Sequence, residues 1–134
     1  GILSFVASKC GADSVTGYDI DEWSVRNAEH NAEINSVENF RTFHGNCTLL
    51  TENEELINRG PFNIVIANIN RNILIHDMPW FKSVMKEDGQ LILSGFYEAD
   101  AEIVIKRASE FGLTIIDKKI DNDWCCCVFQ LSVS

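Results

Sequence analysis

The segment "VTGYDIDEWSVRNAEHNAEIN" (residues 15–35) decides the fold, because within it the pattern of a β-strand changes to the pattern of a helix. Residues 14–20, "SVTGYDI", carry the β-branched and aromatic side chains that are typical of a strand. After Asp21, apolar side chains recur at helical spacing, at Val25, Ala28 and Ala32. A strand that leads directly into a helix predicts a β–α unit, so we expect an α/β fold.

Two acids, Asp19 and Asp21, lie at the junction between this strand and this helix. Asp21 immediately precedes the helix and is predicted to cap its free backbone N–H groups. Asp19 closes the strand, 18 residues after Gly1. In dinucleotide-binding folds, an acid about 20 residues after a glycine loop accepts the ribose hydroxyls, because one carboxylate can bind both. Two interpretations of Asp19 stay open: it binds a ribose, or it only ends the strand.

The bulk composition limits the classes of function. The chain has 134 residues, which suits one domain, and its net charge of −9 argues against a nucleic-acid-binding face, which would be basic. An acidic surface suits a cationic small molecule or a basic protein partner. No apolar run approaches the ~20 residues of a transmembrane helix, and no signal peptide opens the chain. We therefore expect a cytoplasmic protein that does not bind a membrane.

The cysteines predict neither a disulfide framework nor a metal site. They are five in number, an odd count, at positions Cys10, Cys47, Cys125, Cys126 and Cys127. No CxxC pair occurs, and the last three would alternate faces on a strand, so they could not converge on one metal. We interpret the cysteines as small, buried side chains in a reducing cytoplasm. No catalytic triad or phosphate-binding loop is recognisable either, which fits a reaction that needs no strong acid or metal.

The rest of the chain alternates between helix and strand patterns. Helices are predicted at 2–9 (ended by Gly11), 22–35, 49–59, 71–85 and 98–112, and strands at 40–45, 62–68, 89–96, 113–121 and 124–132. "FNIVIAN" (62–68) is continuous and β-branched, as a strand buried on both faces should be. Pro79 is expected to bend or interrupt its helix.

The last two predicted strands differ from the others because only a few polar residues separate them. Such a connection is too short for a parallel crossover, so these strands should form an antiparallel hairpin. The predicted fold is a Rossmann-like α/β sheet, mostly parallel, with an antiparallel hairpin at its C-terminal end.

Two asparagines follow predicted strands and are candidate site residues. Asn68 ends "IVIAN", where its amide would offer one acceptor and two N–H donors at the carboxyl edge of the sheet. Asn46 follows the short strand at 40–45 and has the same possibilities. Either side chain could instead bond its own backbone in a turn, as asparagine often does.

These segments together resemble the class I, S-adenosylmethionine-dependent methyltransferases, and among them the family of bacterial ribosomal protein L-eleven methyltransferases. "GILSFVASKCGADSVTGYDID" is similar to the second half of that family's glycine-loop motif, its first helix and its acidic second strand. "NIVIANINRNIL" resembles the Ala-Asn-Ile signature, "GQLILSGF" the fifth strand, and "DNDWCCCVFQL" a closing strand that begins with an acid and a tryptophan. The resemblance covers the whole chain.

The resemblance implies a cofactor, S-adenosylmethionine, and a role for each matching residue. Asp19 should hold the ribose hydroxyls, and Gly1 corresponds to the last glycine of the loop. Asn68 should be the catalytic residue, beside the methionine end of the cofactor and the incoming amine. Asn46 stands where many class I enzymes carry an Asp that meets the adenine amino group, and its amide carbonyl could accept that bond. Asn70 replaces the Leu expected after Ala-Asn-Ile.

The resemblance also implies what the sequence lacks. The first strand of the sheet and the first glycines of the loop would lie upstream of Gly1, so we expect the chain to be a fragment. The implied substrate is a basic ribosomal protein whose amino groups are methylated and which an upstream domain recognises. The domain itself is not expected to bind nucleic acid directly.

Three other functions remain open from the residues. A class I methyltransferase could act on a glutamine, a nucleobase or a small molecule, although "NINR" lacks the prolines that follow the asparagine in amino-adenine enzymes. An NAD-dependent dehydrogenase also has an acid after its second strand, but the terminal hairpin argues against it. A non-catalytic domain could keep the fold without turnover.

Overall fold

The computed structural model describes residues 15–36 and 40–132 of the chain. The chain divides into two compact units, residues 1–49 and residues 50–134. The described strands form two sheets, one of two strands and one of four. The expected helix at 2–9, its end at Gly11 and the position of Gly1 lie outside the described residues.

The first unit is a parallel β–α–β arrangement. Strand β1 (Val15–Asp19) is followed by helix α1 (Glu22–Ile34) and strand β2 (Phe40–His44). The two strands are paired in parallel, from Val15 beside Phe40 to Asp19 beside His44. The predicted helical spacing is confirmed, because Val25 and Ala32 are buried. The carboxyl ends of β1 and β2 therefore lie side by side.

The second unit is a four-stranded sheet with helices between its first strands. Its elements are helix α2 (Leu49–Glu52, whose first residue belongs to the first unit), helix α3 (Glu54–Asn58), strand β3 (Phe62–Asn68), helix α4 (Arg71–Ser83), strand β4 (Met85–Tyr97), helix α5 (Ala101–Ser109), strand β5 (Leu113–Asp121) and strand β6 (Trp124–Leu131). The strand order is β3-β4-β6-β5. The β3–β4 pair is parallel, and the other two pairs are antiparallel.

The predicted C-terminal hairpin is confirmed. Its loop has two residues, Asn122 and Asp123, with φ angles of 48° and 69°. Positive φ at both central positions is the geometry that matches the right-handed twist of two paired strands. Asn and Asp are among the few residues that adopt this conformation readily.

The two faces of the four-stranded sheet differ, which corrects the expectation that β3 is buried on both faces. Helix α4 packs on β4, and α5 packs on β5 and β6. Leu91 and Leu93 of β4 are fully buried. Ile64 and Ile66 of β3 remain 55% and 43% exposed. They alternate with the half-buried Val65 and the buried Ala67, so in the described part of the chain β3 has only one covered face.

The helix predicted at 49–59 is interrupted at Asn53. The Asn53 side chain accepts a hydrogen bond of 2.9 Å from the backbone N–H of Leu56 and caps a new helix, α3. Asparagine competes for backbone groups in this way, which favours a helix start over a helix interior. The helix predicted at 98–112 likewise begins with a 3-10 turn, Glu98–Asp100, before α5.

Pro79 does not interrupt α4, contrary to one expectation for it. A proline leaves the carbonyl four residues earlier without its usual helical donor. In this structure that carbonyl belongs to Ile75, and it accepts a hydrogen bond of 3.2 Å from the Arg107 side chain on α5. A tertiary contact thus supplies the donor that proline removes. Among the described helices, none has the length and apolar character needed to cross a membrane.

Candidate functional site

Asp19 lies at the carboxyl end of β1 with its side chain exposed to solvent. Its Oδ1 accepts a hydrogen bond of 2.9 Å from the backbone N–H of Asp21. Its backbone carbonyl accepts a bond of 2.9 Å from Gly45 N–H, which holds the ends of β1 and β2 together. Within the described residues, Oδ2 has no protein partner. One carboxylate oxygen, and the charge, are therefore available to a ligand.

Asp21 has the structural role that the sequence predicts. It is the N-cap of α1, and its Oδ1 accepts a hydrogen bond of 3.0 Å from the backbone N–H of Trp23. Its Oδ2 accepts a second bond of 3.0 Å from the Ser24 hydroxyl. Both oxygens are occupied by the start of the helix, so Asp21 has the capping role.

Asn46 lies at the same edge of the first unit, two residues after β2. Its Oδ1 accepts hydrogen bonds from the backbone N–H of Thr48 at 3.0 Å and from the Thr48 hydroxyl at 2.7 Å. A carbonyl oxygen has two lone pairs, and both are used here. The group that Asn46 still offers is its side-chain NH₂. Local turn chemistry, one of the two interpretations of this residue, is therefore present.

Asn68 lies in the second unit, at the carboxyl end of β3, and borders a cavity of about 570 Å³. The rest of the lining comes from the residues after β3, the end of β4 and the β5–β6 hairpin, namely Ile69, Asn70, Ser94, Gly95, Lys119, Ile120, Asp121, Trp124, Cys125 and Cys126. The Asn68 side chain has no hydrogen-bond partner in the part of the chain that the structure describes. Its amide is thus free to bind a ligand in the cavity.

Gly95, a residue that none of the sequence patterns above singles out, leaves room for the Asn68 side chain. Its φ is +93°, in a region that favours glycine. A Cβ at this position would lie 2.7 Å from Asn68 Oδ1 and 2.8 Å from the Ile69 carbonyl oxygen. A glycine inside a strand pattern often marks such a close approach, so "LSGF" contained a usable signal.

Two further contacts tie together the segments around this cavity. Arg71 forms an ion pair of 2.9 Å with Asp100. The backbone N–H of Glu98 donates to the Asp123 carbonyl in the hairpin loop at 2.8 Å. These contacts join the segments after β3, after β4 and between β5 and β6.

The unexpected Asn70 and the exposed tryptophan at the hairpin also have structural roles. Asn70 caps α4, with its Oδ1 accepting from the backbone N–H of Ile73 at 3.1 Å. Trp124 stacks on Tyr97 with ring centroids 4.4 Å apart. A cap at Asn70 gives a physical reason for an amide where a leucine was expected.

The cysteines of β6 alternate faces, as predicted. Cys125 and Cys127 are buried with their sulfur atoms 3.7 Å apart, and Cys126 points to the other face and is half-buried. Burial raises the pKa of Cys127 to about 12 and also raises the pKa of Cys126. Both thiols are therefore protonated at neutral pH, which makes them poor nucleophiles.

Solved structures with the same fold define the class of protein. A crystal structure of a ribosomal protein L11 methylase from Lactobacillus delbrueckii subsp. bulgaricus matches with a TM-score of 0.87 and 29% identity, over 99% of this chain and 65% of that chain. A methyltransferase from Pyrococcus furiosus matches in fold with a TM-score of 0.77 and 17% identity, over 98% of this chain and 70% of that chain. The fold is that of the class I methyltransferases.

Sequence comparison identifies the family. The family model described as ribosomal protein L11 methyltransferase (PrmA) matches residues 1–132. A protein named ribosomal protein L11 methyltransferase from Porphyromonas gingivalis is 40% identical over 124 residues, 92% of this chain and 41% of that protein. One from Bacteroides fragilis (strain ATCC 25285) is 38% identical over 130 residues, 97% of this chain and 44% of that protein. The chain belongs to the ribosomal protein L11 methyltransferase family, and it spans less than half the length of these relatives.

Proposed function

We propose that this chain carries the methyl-transfer site of an enzyme that methylates amino groups of ribosomal protein L11, with S-adenosylmethionine as the methyl donor. The observation that carries the proposal is the Asn68 amide, which has no hydrogen-bond partner among the described residues and lies close to Gly95 at the border of a cavity of about 570 Å³. Membership of the family supports the same activity. The proposed site therefore consists of polar groups that bind and orient the reactants.

The first unit is proposed to bind the adenosine part of the cofactor. Asp19 fits this role, because one of its oxygens and its charge are available at the end of β1. A carboxylate that accepts from hydroxyl groups forms charge-assisted bonds, which are the stronger kind. Asn46 is proposed to contribute its NH₂ group to a ring nitrogen of the adenine, because its carbonyl is already occupied. Gly1 is proposed to contact the cofactor as the last glycine of the loop.

The second unit is proposed to hold the amine that receives the methyl group. When bound, the cofactor would supply an activated methyl group, carried on a positively charged sulfur, to the amine nitrogen. The amine must be neutral and correctly oriented, and a bound, oriented nucleophile reacts far faster than a free one. Asn68 Oδ1 is proposed to accept a hydrogen bond from an N–H group of the amine. This bond would orient the lone pair of the amine nitrogen. Asn68 is therefore the proposed catalytic residue.

The proposed partner is a basic protein, because the net charge of −9 attracts positively charged surfaces. Ribosomal protein L11 is the protein named by the family. We propose that the enzyme acts in the cytoplasm, where ribosomal proteins are made and assembled. The expected recognition of the substrate by an upstream domain stays a prediction.

The experiment is methyl transfer from labelled S-adenosylmethionine by the full-length protein. Purified L11 should gain methyl groups, and mass spectrometry of its peptides should locate them on amino nitrogens. The Asn68→Ala variant is the control for transfer at this site, and free lysine is the control for recognition of the protein. Labelling of nucleic acid or of glutamine side chains, with L11 unlabelled, would contradict the proposal.

A further inference from the structure

Ser94 lies beside Asn68 on the neighbouring parallel strand. The two residues are paired in the register of β3 and β4. Directly paired residues point to the same face of a sheet, with their Cα atoms about 5 Å apart. Both border the cavity, Asn68 as an exposed residue and Ser94 as a half-buried one. The sheet therefore places an amide and a hydroxyl next to each other on one cavity wall.

Neither of these two side chains is engaged elsewhere. Across residues 15–36 and 40–132, the structure gives no hydrogen-bond partner to the Ser94 hydroxyl or to the Asn68 amide. This contrasts with Asn46 and Asn70, whose carbonyl oxygens accept bonds from nearby N–H groups. Polar groups at the wall of a cavity that make no internal bond are available to a ligand.

The Asn68 oxygen lies close to Gly95, the residue that follows Ser94. Asn68 Oδ1 lies 2.7 Å from the position that a Gly95 Cβ would occupy. The strand register shifts at this point, between Ser94 and Phe96. The amide carbonyl and the serine hydroxyl are thus two acceptors at paired positions on the same cavity wall.

We propose that Ser94 Oγ is a second binding group for the substrate amine, which accepts one N–H of the amine while Asn68 Oδ1 accepts another. This proposal rests on the proposed function. It explains how the same site would select a primary amine as its substrate. A neutral primary amine has two N–H groups and one lone pair. If both N–H groups are held, the direction of the lone pair is fixed, which is the orientation that transfer needs.

The electron balance predicts how the contribution of Ser94 changes with each transfer. The ammonium first releases a proton to water, the nitrogen lone pair then forms the C–N bond, and the sulfur keeps the electrons of the broken C–S bond. The methylated nitrogen, after losing its next proton, has one N–H group fewer. Ser94 and Asn68 can both be satisfied in the first transfer, only one of them in the second, and neither in a third.

Cys126, which is paired with Ser94 on the other side of β4, supplies a matched control. This residue of β6 borders the same cavity and is half-buried to a similar degree. Its thiol is a weak hydrogen-bond acceptor and stays protonated, because burial raises its pKa. Cys126→Ala therefore changes the same wall of the cavity without removing a strong acceptor.

The test uses the full-length protein with L11 and follows each methylated form by mass spectrometry. In Ser94→Ala we expect the rate of the first methyl transfer to fall about 10-fold. The rates of any later transfers that the wild-type enzyme makes should fall by a smaller factor. The Kd of S-adenosylmethionine should not change. Ser94→Thr keeps the hydroxyl and should restore the first transfer to within about twofold of wild type. Cys126→Ala should leave all transfers within about twofold.

Each other result overturns something specific. A first transfer in Ser94→Ala that stays within twofold of wild type overturns the role of Ser94. Three other results also overturn the role of Ser94. In the first, Ser94→Ala lowers the rate of every transfer by the same factor. In the others, Cys126→Ala lowers the rates as much as Ser94→Ala does, or Ser94→Thr is as slow as Ser94→Ala. If Ser94→Ala does not fold, Ser94→Cys takes its place, because a thiol has a similar shape but is only a weak acceptor, and the same losses are expected of it. If wild type transfers no methyl to L11, the proposed function itself is wrong, and this inference falls with it.

Discussion

The strand ends of the two units use their polar side chains in opposite ways. In the first unit, Asp19, Asp21 and Asn46 all accept hydrogen bonds from residues two or three positions later in the chain. In the second unit, the side chains of Asn68 and Ser94 accept none from the described residues, and the absence of a side chain at Gly95 leaves room for the Asn68 oxygen. One edge is built from local turns, and the other from a close approach between two strands.

This difference determines what a mutation can reveal. A side chain that bonds its own turn contributes to folding, so its removal changes stability and binding together. A side chain without internal bonds can be removed at little cost to the fold. Substitutions in the second unit should therefore separate catalysis from stability, and those in the first unit should do so only when the acceptor oxygen is kept.

The largest effect is expected for Asn68→Ala. Loss of a positioned hydrogen bond at the reacting centre typically lowers kcat by about 100-fold. Its melting temperature should stay close to that of wild type, because the side chain is exposed and makes no hydrogen bond to residues 15–36 or 40–132. Asn63→Ala, at another exposed position of the same strand, is the control and should change neither quantity. A variant that melts far lower and keeps its turnover when folded would show that Asn68 is a turn residue.

The next effect concerns the glycine that places Asn68. In Gly95→Ala, the new Cβ would press on Asn68 Oδ1 and on the Ile69 carbonyl, so one of them must move. A displacement of this size should lower kcat about 30-fold. Stability should also fall, by about 1–2 kcal/mol, because alanine is strained at a φ of +93°.

Gly112→Ala is the control for that strain. Gly112 has a φ of +76°, and a Cβ there would meet nothing within 4 Å. This variant should lose about 1 kcal/mol of stability and keep its kcat. Equal losses of kcat in the two glycine variants would mean that Gly95 matters only for the backbone.

Most of the fold follows from the sequence, because hydrophobic spacing and turn residues act locally. The strand at 62–68, the helix at Glu22–Ile34 and the hairpin are where their patterns predict them. The errors have non-local causes. Burial of Ile64 and Ile66 depends on what covers the sheet, and the intact helix at Pro79 depends on Arg107 from another helix. No local pattern contains either fact.

The candidate site was predictable to a smaller extent. Position at a strand end identifies Asp19 and Asn68, because ligands of α/β sheets bind at that edge. Whether their side chains are hydrogen-bonded within the protein could not be predicted, because that depends on the three-dimensional structure around them. Ser94 and Gly95 were visible in "LSGF", but their relation to Asn68 comes from the register between β3 and β4.

A smaller effect is expected for the acid at the end of β1. Asp19→Asn can keep the acceptor for the Asp21 N–H and removes only the charge. Charge-assisted hydrogen bonds are about twice as strong as neutral ones, so the affinity for S-adenosylmethionine should fall about 10-fold. Calorimetric titration with S-adenosylmethionine measures this affinity.

Asp21→Ala is the counterpart of Asp19→Asn. Its affinity for S-adenosylmethionine should stay within twofold of wild type, and it should lose about 1 kcal/mol of stability because the helix cap is removed. Reversed results would exchange the roles of the two acids.

The smallest effect, and the finest test of the comparison, is expected for Asn46→Asp. Aspartate keeps an oxygen for the Thr48 N–H and hydroxyl, so the turn and the stability should be preserved. It replaces the NH₂ group by a second acceptor. If the NH₂ group donates to the adenine, affinity for S-adenosylmethionine should fall about fivefold, close to 1 kcal/mol. If the ligand instead presents its amino group here, the extra acceptor should raise the affinity. The direction of the change in affinity therefore shows whether the Asn46 carbonyl keeps its hydrogen bonds to Thr48 when the cofactor binds.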